Sequence, residues 1–98
     1  MDSISRYFAV GLGRYGITVN TVSPGMSDAG VMGQTPREFQ DAVREWAESG
    51  WTPMLRRATA GDIADVCALL CSNEARFVTG HGIPVDGGSS LMNPDFPL

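Results

Sequence analysis

Residues 17–25 read Ile-Thr-Val-Asn-Thr-Val-Ser-Pro-Gly and decide how the rest of the chain is interpreted. The β-branched residues in this stretch favour an extended strand. The Pro24-Gly25 pair stops a strand and turns the backbone, so a loop begins there. Because ligands bind outside the carboxyl ends of strands in open parallel sheets, we expect a site in the loop that follows Ser23.

The composition places the chain among small soluble domains. Ninety-eight residues can form one domain with a small core, and no apolar run is long enough to span a bilayer. The net charge is −4 and the sequence pI is about 4.6, so the chain lacks the basic surface that binds nucleic acid or anionic lipid. We therefore expect neither a nucleic-acid partner nor a membrane partner.

The two cysteines, Cys67 and Cys71, lie four residues apart in a helical pattern and share one helical face. The single histidine, His81, belongs to a distant turn, so the chain lacks the ligand cluster that a metal site needs. We interpret the two cysteines as small buried hydrophobic residues. With no secretory leader at the amino end, we expect a cytoplasmic protein without a bound metal.

The first predicted helix carries a glycine-rich end that resembles a nucleotide motif. Apolar residues at Ile4, Phe8 and Leu12 predict a helix that Gly13 closes. Residues 11–16 match the G-x-G-x-x-G fingerprint, which binds a pyrophosphate only when a strand precedes it and a helix follows. Here the order is reversed, so we interpret these glycines as a helix stop.

Two capping boxes predict two further helices. Thr35 and Glu38 open a helix whose predicted buried stripe consists of Phe39, Val43, Trp46 and Ala47. Thr59 and Asp62 open a more apolar helix that we expect to be covered on most sides. Such a helix between two strands is typical of a crossover connection in a parallel sheet.

Two segments complete the interpretation of the chain. The loop 26–34 carries three adaptable apolar residues, Met26, Val31 and Met32, so it is either a lid over a substrate or a plain surface connection. Residues 79–88 predict a turn with an exposed His81, a short strand and a glycine exit. Because proline cannot donate to a ladder, we expect that strand either to lie at a sheet edge or to have the nitrogen of Pro84 facing away from its neighbour.

Together these segments resemble the carboxyl-terminal half of a short-chain dehydrogenase/reductase of the ketoacyl and enoyl reductase type. The resemblance rests on residues 17–25, on Pro53 and Arg56 followed by Asp62-Ile63-Ala64, on Phe77-Val78-Thr79-Gly80 and on Val85-Asp86-Gly87-Gly88. It implies an α/β fold, a partial Rossmann-like parallel sheet with its last two strands and flanking helices. That domain would cover residues 1–92, and residues 93–98 would form a flexible tail.

The resemblance also implies a cofactor, NAD or NADP. Pro24, Gly25 and Ser27 match the positions that hold the nicotinamide carboxamide in this family. Ser27 replaces the usual β-branched aliphatic residue, and Ala29 stands where a threonine often adds a hydroxyl. The contact would therefore lose a donor, and we expect the chain alone not to bind the cofactor tightly.

The family's catalytic residues have no counterpart in these 98 residues. A Tyr-x-x-x-Lys motif cannot occur because the chain contains no lysine, and by the resemblance Met1 falls just after the position of that lysine. The family's serine and early glycine turn would precede it. Two hypotheses follow: the chain is a portion of an NAD(P)-dependent oxidoreductase that is inactive alone, or it is a non-catalytic module. The module would self-associate as a homo-oligomer through a bare sheet edge and its helices.

Overall fold

Two short parallel strands, β1 (Thr21–Pro24) and β2 (Gly82–Val85), form the sheet in the computed structural model, which describes residues 2–25 and 34–92. Pro24 pairs with Val85, so both strands end at the same edge. One helix, α1 (Asp2–Leu12), precedes β1, and two helices, α2 (Arg37–Trp46) and α3 (Ala60–Leu70), lie between the strands along the chain. This architecture confirms the predicted α/β fold with a partial parallel sheet.

The residues before β1 are joined to the segment that precedes β2 by side-chain hydrogen bonds. Regular pairing begins at Thr21, later than the β-branched run predicts. The Asn20 side chain donates from Nδ2 to the carbonyl of Val78 (3.0 Å) and accepts from the N–H of His81 (3.2 Å). His81 is exposed, as predicted. Because an amide side chain supplies both a donor and an acceptor, it connects two segments where backbone pairing is incomplete.

Helix α1 ends where the glycine-rich motif begins to turn. A short turn over Gly13–Tyr15 follows the helix, and Gly16 has a φ of 74°, a left-handed conformation that suits glycine. The motif therefore terminates a helix, as predicted. Ala9 is buried and Leu12 is half-buried, whereas four large apolar side chains of α1 are exposed, by 50% to 82%. These exposed residues are Ile4, Tyr7, Phe8 and Val10.

Helix α2 begins later than the Thr35–Glu38 capping box predicts. Pro36 occupies the N-cap position without a side-chain cap hydrogen bond, and its carbonyl accepts from the N–H groups of Phe39 and Gln40. A proline ring has no acceptor atom, so this cap uses the backbone alone.

The predicted buried stripe of α2 is confirmed only for its smaller members. Val43 and Ala47 are buried, but Phe39 is 50% exposed and Trp46 is 58% exposed. Trp46 instead stacks on Trp51, with ring centroids 5.6 Å apart, across the wider turn Ala47–Trp51. The ring of Trp46 packs against the ring of Trp51 and not against the core, which explains why the prediction of burial was wrong for Trp46.

Helix α3 has the predicted capping box but not the predicted burial. Thr59 Oγ1 accepts from the N–H of Asp62 (3.2 Å), and the Asp62 carboxylate accepts from the N–H of Thr59 (2.8 Å). No residue of α3 is buried, and both Cys67 and Cys71 are exposed. The expectation of two buried cysteines was therefore wrong. Two strands cover only a narrow face of a helix, which leaves its other faces in solvent.

The buried residues of the described segments are few and small. They are Ala9, Val43, Ala47 and Ala75, with the polar Thr52. A chain of this length buries a modest fraction of its surface, as expected. None of the helices in the part of the chain that the structure describes has the length and apolar character needed to cross a bilayer.

Candidate functional site

The carboxyl ends of the two strands meet in direct backbone contact. Gly25 follows β1, and its N–H donates to the carbonyl of Val85 at the end of β2 (3.1 Å). A Cβ on Gly25 would lie 2.6 Å from the Cβ of Asp86 and 2.9 Å from its Cα. No other residue type fits at position 25 without moving the end of β2. The glycine therefore holds the two strand ends together at the edge where parallel sheets bind ligands.

The Asp86 carboxylate shapes the turn that follows β2. Oδ1 accepts from the N–H of Gly88 (2.9 Å), and Oδ2 accepts from the N–H of Ser90 (2.9 Å). Hydrogen bonding from the Ser90 side chain, and then from the Gly88 backbone, lowers the pKa of Asp86. The carboxylate is thus ionised near neutral pH, and its two oxygens accept hydrogen bonds from its own loop. We interpret Asp86 as a residue that fixes the turn.

The segment between α2 and α3 forms a wall across this turn. Thr52 is 3% exposed, and the N–H of Met54 donates to the carbonyl of Gly87 (3.2 Å). Gly87 and Gly88 have φ values of 62° and 93°, and a Cβ on Gly87 would lie 2.6 Å from Cγ2 of Thr52. Both glycines therefore adopt a left-handed backbone conformation that favours glycine. The absence of a Cβ at Gly87 also allows Thr52 to approach closely.

A groove beside the wall is lined by an ion pair. Arg56 donates to Asp62 through two bonds of 2.6 and 3.0 Å, a bidentate arrangement. The hydrogen bonds from Arg56, and then those from Thr59, hold the pKa of Asp62 well below its usual range, and the same pair raises the pKa of Arg56. The groove has a volume of about 230 Å³ and also contains Met54 and Val85. This volume is below the range of roughly 300–1,000 Å³ that ligand pockets occupy. The groove formed by the described residues is therefore smaller than a typical ligand pocket.

The predicted site residues fall into two groups. Pro24 is exposed at the end of β1, and Gly25 is half-buried beside it, so the structure places both at the expected sheet edge. The remaining predicted residues lie outside the described residues: Ser27 and Ala29 of the predicted cofactor contact, and Met26, Val31 and Met32 of the predicted substrate loop. Among residues 2–25 and 34–92, no group of three or more potential metal ligands comes together.

Sequence reasoning assigned no role to the turn after β2 or to Thr52. An Asp-Gly-Gly sequence directly after a strand does indicate a tight turn with an acceptor side chain. Its position against Gly25 could not be read from the sequence, because it depends on the register of two strands about 60 residues apart in the chain.

Comparisons with known proteins find similar sequences over nearly the whole chain. A family model described as enoyl-(acyl carrier protein) reductase matches residues 1–90. The chain is 36% identical over 91 residues to the short-chain dehydrogenase/reductase FrzI of Cladobotryum sp., covering 90% of this chain and 35% of the relative. It is 39% identical over 88 residues to the 3-oxoacyl-(acyl-carrier-protein) reductase FabG of Pseudomonas aeruginosa, covering 90% of this chain and 34% of the relative.

Solved structures show the same similarity. Acetoin dehydrogenase from Enterobacter cloacae superimposes with a TM-score of 0.73 at 29% identity, covering 99% of this chain and 35% of that one. A short-chain dehydrogenase family protein from Francisella tularensis gives a TM-score of 0.78 at 28% identity, covering 93% of this chain and 40% of that one. The chain thus spans about a third of the length of the relatives that it matches.

Proposed function

Because this chain belongs to the short-chain dehydrogenase/reductase family, we propose that it forms the carboxyl-terminal portion of an NAD(P)-dependent oxidoreductase. In this proposal it supplies the nicotinamide side of the pocket and the loop over the substrate. The observation that carries the proposal is the contact between Gly25 and Asp86, which brings the two strand ends together at the ligand-binding edge of the sheet.

The described residues fit the ring of a nicotinamide but not its carboxamide group. Pro24 is exposed at the strand end and offers a flat apolar surface to an aromatic ring. The N–H of Gly25 is already donated to Val85, so it is not a donor for the carboxamide. We assign that role to the backbone of Ser27. When bound, the nicotinamide supplies the hydride, whereas this chain's residues bind and orient the ring.

The substrate side of the proposal rests on adaptable apolar side chains. Met26, Val31 and Met32 would cover the substrate, because unbranched and aliphatic side chains adjust to different shapes. Met54 is 67% exposed beside the turn after β2 and adds apolar surface at this end of the sheet. This arrangement favours a small, largely apolar carbonyl compound or alcohol as substrate.

Hydride transfer should require the rest of the family fold. The test is a chimera in which this chain replaces the matching third of acetoin dehydrogenase from Enterobacter cloacae. We expect the chimera to oxidise NADH or NADPH with a carbonyl substrate and the 98-residue chain alone to show no turnover. Turnover by the chain alone would contradict the proposal. A chimera that folds and binds cofactor without turnover would also contradict it.

A second candidate function is a self-associating, non-catalytic module of cytoplasmic location. The specific observation that favours it is the exposed apolar surface of α1, together with a β1 edge that pairs only with β2 among the described residues. Free Cys67 and Cys71 are compatible with a reducing compartment. Sedimentation of the chain tests this candidate, since the module must form a homo-oligomer and a monodisperse monomer would contradict it.

A further inference from the structure

A groove between α3 and β1 carries two free thiols and lies outside the strand-end site. Cys67 and Cys71 are both exposed, and both line this groove. Half-buried Val22 and Leu70 supply apolar surface beside them, and residues 18–20 complete the wall. The groove has a volume of about 320 Å³. Two thiols and an apolar pocket therefore occupy one place on the molecule.

The helical spacing favours a dithiol over a disulfide. Residues four apart on a helix have Cβ atoms about 5–6 Å apart. A disulfide needs Cβ atoms only about 3.5–4.5 Å apart, so the helix would have to distort to form one between Cys67 and Cys71. An atom that bonds to both sulfurs spans the longer distance without that distortion. Thiolates select soft centres over hard ones, which sets the chemical class of the ligand.

We propose that Cys67 and Cys71 form a binding site for a thiophilic trivalent metalloid that carries one apolar substituent. The two sulfurs hold the metalloid, and the substituent lies in the groove against Val22 and Leu70. An apolar cavity of about 150 Å³ already accommodates benzene, so this groove has room for a phenyl group.

Phenylarsine oxide is the probe for this site, and its reaction is balanced without an oxidant. Each thiol gives up its proton, two arsenic–sulfur bonds form, and the oxide oxygen leaves as water. The oxidation states of arsenic and sulfur do not change. Closure of the second bond is intramolecular, so the two-thiol adduct should be retained about 100-fold more strongly than a one-thiol adduct.

The experiment treats the 98-residue chain with one equivalent of the probe and measures mass and free thiols. We expect one phenylarsenic group per chain, loss of both free thiols, and resistance to removal by a competing small dithiol. Cys67→Ser and Cys71→Ser should each lower that resistance about 100-fold. Uptake of two arsenic groups, or removal as easy as from the single variants, would overturn the proposal.

A control with altered thiol spacing tests whether retention of the probe needs both thiols on one face of the helix or only two thiols in the same chain. The double variant Cys71→Ser with Leu69→Cys keeps two thiols but places the second one, at an exposed position inside α3, about 160° around the helix from Cys67. We expect it to lose the probe as readily as the single variants, with far-UV circular dichroism confirming the helix. If it retains the probe as well as the original chain does, the helical face is not the site and the proposal is wrong.

Discussion

Gly25 and Asp86 are in such close contact that a Cβ on the glycine would lie 2.6 Å from the Cβ of the aspartate. This contact joins the ends of two strands that lie about 60 residues apart in sequence. It also explains why position 25 is a glycine, since any side chain there would separate β1 from the turn after β2. The candidate site depends on this contact.

Gly25→Ala should destabilise the chain by about 1–3 kcal/mol, the usual effect of overpacking against a fixed neighbour. The matched control is Gly11→Ala in α1, where a Cβ meets nothing within 4 Å. That control should be neutral or stabilising by up to about 1 kcal/mol, because alanine favours a helix. Urea unfolding of both variants measures the difference. Equal stability of the two variants would contradict the strand-end contact.

The ion pair between Arg56 and Asp62 should make stability depend on acid pH. The pKa of Asp62 is lowered in the fold, so its ionised form stabilises the folded state above the ordinary carboxyl pKa of about 3.9. That stabilisation is lost as the pH falls through the lower pKa of the folded state. Asp62→Asn should therefore be less stable than the original chain at neutral pH, and the difference should shrink below about pH 4.

The control for this titration is Asp65→Asn, the same charge change at an exposed position on the same helix. Chemical unfolding at several pH values measures both variants. A pH-independent difference between Asp62→Asn and the original chain would show that the ion pair does not set the acid dependence.

Leu55 should be a site of backbone strain. Its φ of 63° is the only positive value at a non-glycine residue in the described segments, and its side chain is 57% exposed. A left-handed conformation costs a residue with a Cβ about 1–2 kcal/mol. Leu55→Gly should therefore stabilise the chain by up to about 1 kcal/mol. Leu55→Ala removes the same contacts but keeps the strain, so a gain in thermal stability from the alanine variant would contradict this explanation.

The sequence predicted the order of elements well because their local signals are strong. The strand end at Pro24-Gly25, the glycine stop after α1 and the capping box of Thr59 with Asp62 are all local patterns, and the structure confirms them. The site was predicted in part, since the positions of Pro24 and Gly25 follow from the strand end alone.

Burial was predicted less well because it depends on what covers a helix. Phe39 and Trp46 have the spacing of a buried stripe, and Cys67 and Cys71 share a helical face, yet all four are exposed. Periodicity shows which face of a helix is apolar, whereas burial requires a second surface against that face. The described sheet has two strands and cannot cover these helices.

The exposed apolar face of α1 should drive association of the isolated chain. Val10 is 82% exposed and Tyr7 is 77% exposed, and a helix with this much exposed apolar surface is unfavourable in water. We expect the chain to sediment above its monomer mass and Val10→Asp to lower that mass. Asn73→Asp adds the same charge at an exposed position elsewhere and should leave it unchanged. A monodisperse monomer of the original chain at micromolar concentration would contradict the prediction.

Binding of the nicotinamide at the end of β1 is measured most directly by an isotope-edited nuclear Overhauser experiment on the acetoin dehydrogenase chimera with NADH. Pro24 would be selectively labelled, so that contacts of its ring protons with the cofactor could be assigned. We expect cross-peaks between the nicotinamide ring and Pro24, because we assign the nicotinamide side of the pocket to this strand end. A chimera that transfers hydride without any contact between the nicotinamide and Pro24 would show that this strand end does not bind the ring.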